Sequence, residues 1–142
     1  MKKLIIFPVL FTAIVSFAQV RDKSFDAFWP KFRTAVLAYD IQTLDQLVLY
    51  PLTVKGTQDY DPVKKINRNK IIATLKTYMA KYAIIETGFD DETNLEQIKR
   101  KATLPASAYN HSSPNFMSVG DLEFKKIAGK WKLFTIYIAT IN

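Results

Sequence analysis

The stretch GDLEFKKIAGKWKLFTIYIAT, residues 120–140, decides the fold. It reads as the ends of two strands, Phe116 to Ile127 and Lys130 to Ile141, joined through the turn-like pair Ala128-Gly129. Gly120 reads as a bulge in the first strand. A period of two puts Trp131, Leu133, Thr135, Tyr137 and Ala139 on one face of the second strand. Lys132, Phe134, Ile136, Ile138 and Thr140 fall on the other. Both faces are largely apolar, so each needs a cover.

Working outward from this hairpin, the upstream sequence is mostly helical. SFDAFWPKFRTAVLAYD places Phe25, Phe28, Trp29, Phe32, Val36 and Tyr39 on one helical face, with Ser24 as the expected N-cap and a kink or an irregular first turn expected at Pro30. Asp40 suits the cap of a short helix to about Leu47. LVLYPLTVKG then reads as a strand whose Pro51 marks an edge or a bulge. Val63 to Ile66 is a short strand, and Asn67 is the expected cap of a helix burying Ile71, Ile72, Leu75, Tyr78 and Met79. Thr93 and Glu96 have capping-box spacing, with Lys99 and Arg100 at the favourable end of that helix. Residues 80–115 are the hardest to read, and the expectation for Thr103 to Pro114 is a strand followed by a polar loop. Helices come first and antiparallel strands last, which makes the class α+β.

Met1 to Ala18 has the basic, apolar and small-residue order of a signal peptide, with cleavage expected after Ala18 and a single domain over 19–142. The apolar run is too short to span a bilayer, so the expectation is a periplasmic or secreted protein with no membrane span. The chain has no cysteine, so burial alone would hold an exported fold together, and thiol nucleophiles and thiolate metal sites are excluded. The formal net charge of +7 is dispersed, and adjacent Lys125 and Lys126 point to opposite faces of a strand. No nucleic-acid partner is expected.

Candidate chemistry is sparse. Asp40 reads as a cap, Asp59 and Asp61 as loop residues beside Pro62, and Asp121 as part of a turn or bulge. His111, the only histidine, lies in a polar loop. No phosphate loop or nucleophile elbow occurs, and no spacing suits a metal, so no catalytic residue, metal ligand or cofactor is assigned. Tyr39, Tyr50, Tyr78 and Tyr137 fall on inward faces. They read either as core or as the aromatic wall of a cavity with a few hydroxyls.

The order of FDAFWPKFRTAVLAYD, a short capped helix, LVLYPLTVKG and a terminal LEFKKIAGKWKLFTIYIAT resembles the nuclear transport factor 2-like superfamily, in particular its small exported bacterial members. The resemblance implies a strongly curved antiparallel sheet wrapped around N-terminal helices, a cone with a cavity. It also implies that the Trp131 face is concave. Phe134, Ile136 and Ile138 would then form an outer apolar stripe, most simply covered by a second subunit in a homodimer. The resulting expectation is a non-catalytic binding or interaction module for a small, partly apolar ligand, with Tyr39, Tyr50, Trp131 and Tyr137 at the ligand. Enzymes of the superfamily supply the alternative, a small cofactor-independent isomerase or lyase using Tyr and Asp acid–base groups.

Overall fold

The computed structural model describes residues 21–83 and 92–139. The predicted leader, the Gln19 start and the last two residues of the predicted final strand lie outside them. Helix α1, Lys23–Ala38, buries Phe25, Phe28, Trp29, Phe32, Ala35 and Val36, the face its periodicity predicts. Its N-cap is Asp22 rather than Ser24: the Asp22 carboxylate accepts from the Ser24 backbone N–H. The helix runs through Pro30 without a break in its assignment. It stops at Tyr39, which is left-handed at φ +51° and donates its backbone N–H to the Ala35 and Val36 carbonyls. Asp40 then caps α2, Ile41–Leu47, by accepting from the backbone of Gln42 and Thr43.

A 3-10 turn over Arg68–Lys70 precedes α3, Ile71–Met79, and Asn67 makes no side-chain cap bond. Helix α4, Asn94–Arg100, begins with the predicted Thr93–Glu96 capping box. Its far end is closed by α1. The Arg33 guanidinium donates to the carbonyls of Ile98 and Lys99, both at 2.8 Å, and the Trp29 indole donates to that of Lys101 at 2.7 Å. These bonds satisfy carbonyls that a helix terminus otherwise leaves open. No strand forms over 103–112. That stretch instead holds a 3-10 turn, Ala106–Tyr109, whose Tyr109 is buried and donates its hydroxyl to Asp26.

The strands are β1 (Val48–Lys55), β2 (Lys64–Ile66), β3 (Phe116–Val119), β4 (Leu122–Ile127) and β5 (Lys130–Tyr137). They form one open sheet in the order β2-β1-β5-β4-β3. The sheet is mixed rather than antiparallel, because β1 pairs with β5 in parallel. Pro51 follows a cis peptide and lies within a register shift of β1, so the bulge reading holds and the edge reading does not. The strand expected over Phe116–Ile127 is two strands. Val119 pairs with Leu122, which leaves Gly120 and Asp121 as the turn of a tight hairpin, with Gly120 at φ +54°.

The bulge assigned to Gly120 lies instead in β5. Phe124 pairs with Leu133 and Glu123 with Thr135, so Phe134 has no opposite residue. One extra residue inverts the alternation beyond it. Trp131 and Leu133 face the core as expected, but so does Ile136, at 0% exposure, while Thr135 and Tyr137 turn to the outer face. There the Tyr137 hydroxyl donates to Glu123 at 3.1 Å, and the Lys65 ammonium donates to Thr53. The predicted homodimer stripe is therefore corrected: Ile136 belongs to its own chain's core. Ile138 packs half-buried against that core, and Phe134 lies edge-on to Phe116 with Lys125 over its ring.

The interior between α1 and the sheet is filled by rings. Phe124 meets Phe25, Phe28, Trp29 and Phe32 edge to face, with centroids 5.0–6.2 Å apart. Such pairs each contribute about 0.5–1.5 kcal/mol beyond area burial. Trp131 docks edge-on to Phe25 at 5.0 Å and donates its indole N–H to the Ser24 hydroxyl.

Candidate functional site

Against this apolar interior, one group of polar side chains stands out. Tyr78 comes from the last turn of α3, Asn94 and Gln97 from the first turns of α4, and Asp121 from the β3–β4 turn. All four are 0–2% exposed. Asn94 and Gln97 are three residues apart, which puts them on one helical face, turned away from exposed Glu96, Lys99 and Arg100. The Asn94 amide donates to the Tyr78 carbonyl at 2.9 Å and so ties the start of α4 to the end of α3.

The cluster is only partly satisfied from within. The Tyr78 hydroxyl, Asn94 Oδ1 and Gln97 Nε2 find no hydrogen-bond partner among the described residues. An unmade bond at a buried polar atom costs about 1–3 kcal/mol, so such atoms mark a place where another polar group belongs. Burial, and then the negative charge of Asp121, pushes the Tyr78 phenol well above its ordinary pKa. The phenol thus stays protonated, as a donor.

Gly120 touches both this cluster and a surface cleft. It lies against Gln97, so that a Cβ there would run into the Gln97 carboxamide oxygen, and it also lines a cleft of about 190 Å³. The cleft has apolar walls from Leu104, Pro105, Ala108 and Val119, with Ser107, Ser118, Lys101 and His111 among its polar groups. His111, read from sequence as a plain loop residue, is exposed but sits at this rim. Chemically, the cleft and cluster offer a phenol and a carboxamide N–H as donors, a carboxamide oxygen as acceptor, a buried carboxylate and a short apolar wall. That set suits a small molecule with polar groups at one end. No group of three or more metal-binding side chains occurs among the described residues.

The four residues predicted at the ligand meet four different sets of neighbours. Tyr39 ends α1, half-buried, with the Lys76 ammonium 5.6 Å from its ring centre. Tyr50 is half-buried; burial, then the charge of Asp45, pushes its phenol up to about 12. Trp131 is a core wall that also floors a second cleft at the opposite end of β4. Tyr137 lies outside, past the Phe134 bulge, beside Glu123 and Lys55. Tyr78, which the sequence placed on an inward face without assigning it to the ligand, is the tyrosine that enters the candidate site. Asp121 was read as a turn residue and is one, yet it is fully buried. The signal for it was the Gly-Asp pair between two alternating runs, which marks a hairpin rather than one long strand.

The chain matches none of the family models, curated proteins or solved structures with which it was compared.

Proposed function

We propose that this chain is an exported binding module of the nuclear transport factor 2-like kind, non-catalytic, which holds a small, partly apolar ligand in the Gly120 cleft. One observation carries the reading: among the described residues, three buried polar atoms, on Tyr78, Asn94 and Gln97, lack a hydrogen-bond partner, and Gln97 lies against Gly120, which lines that cleft. A ligand that reached the Gln97 carboxamide beside Gly120 would complete its bond, and its apolar part would lie on Leu104, Pro105 and Val119. The element order, with N-terminal helices over one face of a sheet ending in the β4–β5 hairpin, supports the family reading. Native mass spectrometry of protein recovered from its own envelope tests the proposal. The expected result is a retained small molecule that is lost in Gln97→Leu. A parent that carries nothing, or a Gln97→Leu protein that retains the same mass, would overturn it.

One observation favours the second reading, a cofactor-independent isomerase or lyase. Burial first and then the charge of Asp121 raise the Tyr78 pKa, and the two buried groups supply a carboxylate and a protonated phenol. In that case Asp121→Asn would retain the molecule but no longer convert it.

A further inference from the structure

The second cleft lies at the other end of β4, roughly 20 Å from Gly120 at ~3.3 Å per strand residue. It measures about 570 Å³, within the size range of small-molecule sites. Its floor is made of core side chains, Phe28, Leu47 and Trp131, each 9% exposed or less and therefore fixed in place by packing. The indole N–H of Trp131 is already used by Ser24, so the ring offers the cleft an apolar edge without a polar demand of its own. Around this floor stand Lys31 from α1 and Lys130 and Lys132 from β5, and no acidic side chain among the described residues lines the cleft. Lys132 is held in position by donating to the Gln46 carbonyl at the end of α2. Lys31 and Lys130 have no carboxylate partner among the described residues. The acids at the start of α1 are engaged elsewhere: Asp22 by Lys126 at 3.1 Å and by Ser24, and Asp26 by Arg21.

We propose that this cleft is a second binding site, for a small anionic amphiphile whose acidic head sits among Lys31, Lys130 and Lys132 and whose apolar body lies along Phe28, Leu47 and Trp131. Three cations with no acid among them make a local field that favours an anion. A preformed apolar floor adds a contribution that a plain inorganic anion cannot use. The site is independent of the Gly120 cleft, since the two share no lining residue.

Decanoate, decyltrimethylammonium and inorganic phosphate, each titrated into the full chain and followed by backbone amide NMR, test both halves of the claim. Decanoate is expected to shift the signals of Gln46, Leu47 and Gly129–Lys132 saturably. The cation of equal chain length should leave them in place, and phosphate should shift them only weakly. Lys31→Ala with Lys130→Ala is expected to weaken decanoate binding roughly fivefold or more, and less so at high salt. Equal binding of decyltrimethylammonium, unchanged affinity in the lysine variant, or shifts confined to the Gly120 end would each overturn the proposal.

Discussion

At the residue scale, the hydroxyl of Tyr78 sets the sharpest expectation. It is fully buried, has no partner among the described residues and faces the charge of Asp121. Removing an unbonded buried hydroxyl relieves a desolvation cost of about 1–3 kcal/mol, whereas removing a bonded one typically loses about 1 kcal/mol. Tyr78→Phe should therefore be at least as stable as the parent in urea unfolding while losing retained ligand. A loss of stability would show that the hydroxyl serves the fold. A second expectation concerns pH. The Arg21 guanidinium, bonded to Asp26 at 2.6 and 2.9 Å and assisted by the Tyr109 hydroxyl against a smaller opposing effect of burial, holds the Asp26 carboxyl below its ordinary range. Burial, then the bond to Asp26, pushes Tyr109 up to about 12. A lowered acid contributes stability above its ordinary pKa and loses it as pH falls. A raised phenol contributes below about 10 and loses it as pH climbs toward 12. Urea midpoints should thus fall at both ends. Tyr109→Phe should flatten the alkaline limb, and an unchanged limb there would refute the assignment.

At the scale of elements, the β4–β5 hairpin carries a correctable flaw. Ala128 and Gly129 both have positive φ, +49° and +75°, and Ile127 pairs with Lys130 across them. A two-residue turn of this hand favours Asn at its first position, and an alanine there is strained by about 1 kcal/mol. Ala128→Asn is expected to raise stability by about 0.5–1 kcal/mol in thermal or urea unfolding, and a decrease would contradict the turn. This hairpin, the apolar face of α1, the Asp40 cap and the Thr93–Glu96 box were all legible in the sequence, because each depends on residues within a few positions of one another. The Phe134 bulge was not. It exists only in the pairing of β5 with β4, and no spacing within β5 announces it. The parallel contact of β1 with β5 joins residues separated by most of the domain and was hidden for the same reason. So was the candidate site, which draws one residue from α3, two from α4 and one from a turn; only the inward placement of Tyr78 was visible beforehand.

For the molecule as a whole, the consequence of the bulge is that the outer sheet face is not an apolar stripe. Thr53, Lys65, Glu123 and Tyr137 bond to one another in pairs across it, and Lys125 lies over Phe134. Ile136→Lys would place a charge in the core rather than on an interface. It should unfold the chain, seen as lost circular dichroism. A folded, soluble Ile136→Lys protein that sedimented as half the parent's mass would instead restore the dimer through this face. The closure of α4 by Arg33 and Trp29 bears on the order in which the chain gains its structure. Alone, a helix of seven residues is far too short to persist in water. Its last carbonyls wait for donors that lie 65 to 72 residues earlier in the chain. Helix α4 therefore cannot be an early folding nucleus. Its far end needs α1 in place, and because it carries Asn94 and Gln97, the candidate site depends on that docking too.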